Sequence, residues 1–185
     1  PAPAPAPAPT TAPARFATIE ELKNALLSTP PSDFVSDNLL ESVPFVFLGD
    51  QRSWVAWKTK LANGLGIDPR EVVLIGSGAV GYSLNPTKGF AAYGDHSDID
   101  VGVVSQHYFE TAWRYLRSLR PEWLSLRREA KNAIRVHRQS YVFEGTIATD
   151  FILPLLPFGA NWQDALESLA RDEPTLGKEI KVRIY

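Results

Sequence analysis

The chain has no cysteine, and three histidines are its whole stock of imidazole. Without thiols there is no disulfide framework, no zinc–thiolate site and no thiol nucleophile. His96, His107 and His137 are too scattered for a zinc site or a nucleophile–base pair, and each reads as a structural or surface residue. Only His96, two residues before Asp98, stands near candidate chemistry. No apolar run approaches the roughly 18 residues that a membrane span needs, and nothing resembles a signal peptide. The expectation is a cytoplasmic chain without membrane contact. Charge of one sign is also scarce. The 19 Lys and Arg against 21 Asp and Glu leave a net charge of −2, which argues against coating nucleic acid by bulk charge.

What is present suffices for a core. At 185 residues, 44% hydrophobic and 22% charged, the chain suits one domain with a short extension. The extension is PAPAPAPAPTTAPA, with few amide donors and no large side chain. Residues 1–15 therefore read as a Pro/Ala-rich disordered linker or tail, stiff and extended. Residues 16–185 are left as the folded domain.

Along that domain, Thr18-Ile19-Glu20-Glu21 fits a capping box, and Leu22, Ala25 and Leu26 form the apolar face of a helix that Pro30-Pro31 stops. Residues 45–48 predict a short strand. A second helix starts at Asp50, carries Trp54, Trp57 and Leu61 on one face and stops at Gly64. Residues 71–75 and 99–104 predict buried strands. Ser105 leads a helix with Phe109, Ala112, Trp113 and Leu116 at i, i+3, i+4 and i+7. Pro121 opens another helix, to about Val136. Residues 141–143 and 147–153 predict a hairpin about Glu144-Gly145, and Asn161 caps a last helix. Ile180, Val182 and Ile184 alternate with Lys181 and Arg183 as an edge strand. Strands interleaved with helices predict an α/β or α+β fold, a small mixed β-sheet flanked by helices.

Gly76-Ser77-Gly78-Ala79-Val80-Gly81 matches G-x-G-x-x-G after a strand, with Asp98 and Asp100 about 20 residues on. One reading is thus an NAD(P)-type dinucleotide-binding domain. Three features oppose it. The third glycine of such a fold continues into a long helix whose N-terminus holds the pyrophosphate, whereas Asn85-Pro86 interrupts at once. The ribose-binding acid follows the second apolar strand, whereas Asp98 and Asp100 precede theirs. About 80 residues then remain, too few for the second half of a doubly wound sheet.

The acids suggest another chemistry. On a strand, Asp98-Ile99-Asp100 sets both carboxylates on one face, about 6.5–7 Å apart along the chain, from which they can converge on Mg²⁺ or Mn²⁺. Such like charges repel, and a divalent cation relieves the repulsion. Asp150 falls inside an apolar run between Thr149 and Phe151, where a charge needs an exposed edge or a partner. A solvated strand start is the ordinary reading of two acids after a turn. Gly76-Ser77 and Asp150 tip it toward a Mg²⁺–triphosphate site.

Gly76-Ser77 after one strand, Ser97-Asp98-Ile99-Asp100 on the next and Asp150 on a later one resemble the nucleotidyltransferase superfamily typified by DNA polymerase beta, and in particular its small bacterial single-domain members. The resemblance covers about residues 71–153. It implies a nucleotidyltransferase fold for residues 16–185 with a core at about residues 50–155. It also implies an enzyme that moves a nucleoside monophosphate from an NTP such as ATP to a hydroxyl acceptor, with pyrophosphate release. A protein, an RNA or nucleotide, and a small molecule are all open as acceptors. By the same resemblance Asp98 and Asp100 hold two Mg²⁺ (or Mn²⁺) ions and Asp150 completes the second ion's shell beside the acceptor. Gly76, Ser77 and Gly78 offer amides and a hydroxyl to the phosphates, and Lys88 adds a phosphate contact.

Two departures follow. Ser77 and Asp98 are 98 − 77 = 21 positions apart, more than in compact members, so residues 85–96, with Lys88, Tyr93, Asp95 and His96, are expected at the pocket rim. Only 185 − 150 = 35 residues follow Asp150, so part of the acceptor site is expected from a partner or from sequence beyond Tyr185.

Residues 114–138 hold eight Lys and Arg against two Glu, a net +6, which leaves −8 elsewhere. Arg127, Lys131 and Arg135 recur at i, i+4 and i+8, either as a surface for nucleic acid or an acidic protein or as a solvated helix face. A non-catalytic binding module built on this segment is the third reading.

Overall fold

The computed structural model describes residues 15–119 and 123–185. The Pro/Ala tail over residues 1–14 and Pro121 lie outside the described residues, but the helix expected from Pro121 to Val136 begins only at Arg128, after a 3₁₀ turn, Trp123–Ser125, and an extended Arg127. Phe16 is buried and stacks on Phe34 at 6.2 Å, so packing begins just ahead of the first helix. Helix α1 (Ile19–Ser28) starts at the expected cap: Thr18 Oγ1 accepts the Glu21 amide at 3.2 Å, while the Glu21 carboxylate accepts the Ala17 amide at 2.7 Å, one residue before the cap. Helix α2 (Pro31–Val35) opens on a proline, whose missing N–H would be unsatisfied there anyway, and runs into a π-helical turn, Ser36–Leu40.

The strand expected at residues 45–48 is instead a 3₁₀ turn, Phe45–Phe47. Leu48, at φ 50°, breaks the extended path, and Phe47 packs on Trp54 and Trp57 with ring centroids 5.2 and 5.7 Å away. An apolar run without a partner strand buries itself as a turn just as well. Helix α3 (Gln51–Leu65) is capped by Asp50, whose Oδ1 accepts the Arg52 and Ser53 amides, both at 3.0 Å. It passes through Gly64 and ends at Gly66, which takes the left-handed φ of 71°. Gly64 serves packing: a Cβ there would meet the Ala165 Cβ at 2.7 Å, so another helix crosses at that point.

Strand β1 (Val72–Ile75) is followed by the one-turn helix α4 (Ser77–Val80), strand β2 (Ile99–Val103) and helix α5 (Gln106–Ser118). Helix α6 (Arg128–Val136) continues into a π-helical turn, His137–Tyr141. Strand β3 (Ile147–Ala148), helix α7 (Gly159–Leu169) and strand β4 (Ile180–Ile184) complete the chain. Helix α7 begins two residues before Asn161, which is therefore not its cap. The sheet order is β1-β2-β4-β3, with β1 antiparallel to β2, β2 parallel to β4 and β3 antiparallel to β4. A mixed α/β fold with a small mixed sheet is thus what the interleaved pattern implied.

Two expectations fail in this sheet. The hairpin does not form. Tyr141 belongs to the π turn, and β3 stops after two residues because Thr149 turns the chain. Its amide and hydroxyl both donate to the Val182 carbonyl, at 3.1 and 2.8 Å, and the Ile152 and Leu153 amides fold back onto the Thr149 carbonyl. Strand β4 is not an edge but lies between β2 and β3. Alternation of apolar and charged residues marks one buried face, and it cannot tell whether the other meets solvent or a cavity.

One face of the sheet is all core. Leu74, Ile99, Val101, Val103, Ile147 and Ile184 have no measurable exposure. Each such side chain stabilises the fold by about 1.5–3 kcal/mol relative to leaving it exposed. Buried His137 ties α6 to β3: Nδ1–H donates to the Ala133 carbonyl at 2.7 Å, and Nε2 accepts the Ala148 amide at 3.0 Å. Among the described residues no helix is long and apolar enough to cross a membrane.

Candidate functional site

The opposite face carries the polar side chains. In register, Asp100 lies beside Ile75 on one side and Lys181 on the other, and Gly102 lies beside Arg183. Cross-strand partners share a face, so the Asp100 carboxylate of β2 and the cations of β4 point the same way, while Asp98, expected on the strand, lies one residue before it. Above them opens a cavity of ≈ 1080 Å³. Of the residues expected from the sequence, Gly76, Ser77, Lys88, Asp98, Asp100 and Asp150 line it. Gly78 does not. It is buried, and a Cβ there would touch Leu74, Val46 and Ile99.

Where β1 ends, Gly76 adopts φ 68°, ψ −153°, a region that side-chain-bearing residues avoid. A Cβ at this position would lie 2.8 Å from Asp100 Oδ2. Glycine therefore lets the backbone come against the carboxylate. Gly81 ends α4 at φ 90°, so it stands at a helix C-terminus and not at the N-terminus that a dinucleotide site requires. Residues 85–96 form the rim, as the long spacing implied, with Asn85, Lys88 and His96 facing the cavity. Lys178 pins this loop by donating to the Gly94 and Asp95 carbonyls, both at 3.0 Å. Tyr93 packs edge-on against Phe45, and burial pushes its phenol up to about 12.

The charges inside are unevenly matched. Asp98 Oδ2 accepts from Lys181 Nζ at 2.5 Å, and Glu179 Oε2 sits 3.5 Å from the same nitrogen. That hydrogen bond to Asp98 is the main reason the Lys181 ammonium is held above its ordinary range. The Asp100 carboxyl is raised, first because it is desolvated and also because Asp98 repels it, while Arg183, Lys181 and Lys88 pull the other way. Lys88 and Arg183 make no ion pair or side-chain hydrogen bond among the described residues.

The three acids are not brought together as a group. Among the described residues no three of His, Asp and Glu are placed to hold a metal ion, because β4, with Lys181, comes between β2 and the strand leading to Asp150. Asp98 and Asp100 by themselves fit a smaller role. Mg²⁺ is commonly held by one or two carboxylates, with phosphate oxygens and water completing its shell. Of these two oxygen donors Asp98 is engaged by Lys181, and Asp100 is desolvated and raised.

Lys181 and Arg183 are site residues that the edge-strand reading missed. The available signal was complementarity: acid-x-acid on one strand and cation-x-cation on another, each at period two. In the basic segment, Lys131 donates to the Leu124 carbonyl at 3.1 Å and Arg135 to Asn132 Oδ1 at 2.5 Å, while Arg127 precedes α6. A separate shallow cavity gathers Arg114, Arg117 and Arg138 beside Trp113. No protein-family model, curated protein or solved structure matches the chain.

Proposed function

We propose that this chain is a Mg²⁺-dependent nucleotidyltransferase, which moves a nucleoside monophosphate from an NTP to a hydroxyl acceptor and releases pyrophosphate. One observation carries the reading: the Gly76-Ser77 turn comes against the Asp100 carboxylate, 2.8 Å from where a Gly76 Cβ would lie, and beside Asp98 on the same cavity wall. In this reading Asp98 and Asp100 hold the ion that accompanies the triphosphate. An ion held there would supply charge neutralisation for the phosphates and a lowered pKa for the acceptor hydroxyl. Gly76 and Ser77 offer backbone N–H groups to the phosphates. The Ser77 hydroxyl makes no hydrogen bond among the described residues and is free to donate to them. Lys88, exposed on the rim, adds a positive charge at the same end. Asp150 faces the cavity from the turn that follows β3, where its carboxylate accepts a hydrogen bond from the acceptor hydroxyl and orients it.

A thermal-shift panel of ATP, GTP, CTP, UTP and NAD, each with Mg²⁺ or EDTA, identifies the donor. A ligand at 100 times its Kd adds about 2.7 kcal/mol, a shift of several degrees. The expected result is a shift with an NTP that EDTA abolishes, together with loss of Mg²⁺-dependent pyrophosphate release when Asp98→Ala and Asp100→Ala are combined. Unchanged release in that double variant overturns the reading. A shift with NAD that ignores EDTA transfers the glycine turn to dinucleotide binding.

A further inference from the structure

We propose that the acceptor is itself phosphorylated, a nucleotide or the phosphate-bearing end of a strand, and that Arg183 binds its phosphate. The inference rests on the nucleotidyltransferase reading and gives the acceptor a chemical class. The sheet order sets out the cavity floor from one side to the other: Gly76-Ser77 after β1, Asp98 before β2 and Asp100 on it, Lys181 and Arg183 on β4, then Asp150 after β3. With the donor phosphates on the Ser77 and Lys88 side, whatever meets Arg183 lies across the acids, on the acceptor side.

Arg183 and Lys181 share a strand and a face, yet their circumstances differ. Lys181 is engaged by Asp98 and Glu179. Arg183 is partly buried on the floor, and its guanidinium has no ion pair or hydrogen bond among the described residues. Of the cations acting on Asp100 it acts most strongly, and it is also felt by His137, whose ring meets the amide of its cross-strand neighbour Ala148. The other acids of the cavity leave it unpaired, since Glu179 lies against Lys181 and Glu144 accepts from Ser140 at 2.7 Å. Withdrawing a guanidinium from water without a partner is costly, and its planar fork of donors matches a phosphate bidentately.

A second observation points to the rest of the ligand. Phe151, directly after Asp150, is 63% exposed at the same cavity, and Tyr141 lines it too. Aromatic faces beside an anion site are what a nucleobase stacks on. A neutral sugar leaves Arg183 without a partner, and a polycationic small molecule is repelled by it.

Calorimetric titration of the full chain in EDTA tests this, with AMP against adenosine and a short RNA with and without a terminal phosphate. The two pairs distinguish a free nucleotide from a strand end. At least one phosphorylated probe is expected to bind about ten-fold or more tighter than its unphosphorylated counterpart. Arg183→Gln removes that preference and leaves the EDTA-sensitive NTP shift within about two-fold in apparent affinity; Arg183→Lys restores part of the preference. The Arg183 side chain lies in the cavity and not the core, so melting of both variants close to the parent is the fold control, and Arg183→Lys alone carries the test if Arg183→Gln does not fold. Absence of any phosphate preference in the parent overturns the inference. So does its loss in Lys88→Gln but not Arg183→Gln, or an equal loss of NTP binding in Arg183→Gln; in these cases the nucleotidyltransferase reading stands. If no NTP binds with Mg²⁺, that reading fails and this one with it.

Discussion

On the core face of the sheet Ile99, Val101, Val103, Val182 and Ile184 are at most 1% exposed, while Asp98, Asp100, Lys181 and Arg183, interleaved with them on or beside the same strands, are all only partly covered. Backbone, neighbours and register are shared by the two faces. The apolar face is complete in itself, because every side chain is satisfied by contact with others of its kind. The charged face is not: one carboxylate is paired, one is desolvated and raised, and one guanidinium has no partner among the described residues. A face built for stability closes on itself, and the charged face does not.

Removing contact from the core face gives the largest effect. Ile184→Ala is expected to destabilise by about 2–5 kcal/mol, seen as a lower urea midpoint at unchanged slope. A loss below about 1 kcal/mol would show that the face is not closely packed.

The next effect concerns His137, which is buried and ties α6 to β3. Burial holds the His137 imidazole below its ordinary 6.5, against the upward pull of its hydrogen bonds with Ala133 and Ala148 and of the Asp150 charge. The unfolded chain therefore takes up this proton first as the pH falls. The contribution is fully present above about 6.5 and is lost as the pH drops toward the lowered folded value, with a slope of at most about 1.4 kcal/mol per pH unit. Melting curves between pH 7.5 and pH 5 are expected to decline over that window; a flat profile would remove His137 from the account.

The smallest effect has the opposite sign and sharpens the contrast. Because Asp100 is raised, its stabilising share is present below its unfolded value of 3.8 and lost as the pH rises through the folded one. At neutral pH the ionised carboxylate costs stability. Asp100→Asn should raise the melting temperature in EDTA by about 1–2 °C while abolishing pyrophosphate release. A fall in melting temperature would mean that Asp100 is a structural anion for Lys181 and Arg183.

The features legible in the sequence are those carried by a few consecutive residues. The Thr18–Glu21 capping box, the Asp50 cap and the tryptophan face of α3, strands β1 and β2, and the Gly76-Ser77 and Asp98/Asp100 motifs all have spacings within one turn or one strand. What escaped depends on partners far along the chain. The Lys181–Asp98 bridge spans 83 positions, and no local pattern encodes that β4 enters between β2 and β3. Gly64 read as a helix stop because its packing partner, Ala165, belongs to a distant helix. The turn at Thr149, which ends β3 and exposes Asp150, is made by hydrogen bonds to Val182.

Composition, periodicity and two short motifs by themselves determined an α/β chain with a small mixed sheet and a pair of acids set beside a glycine turn. The tertiary structure decided which strand became the neighbour of those acids, and so placed cations where a third carboxylate was expected. The reason is that side-chain alternation defines the two faces of a strand locally, whereas the order of strands is settled by which buried faces pack best together, a property of the whole chain.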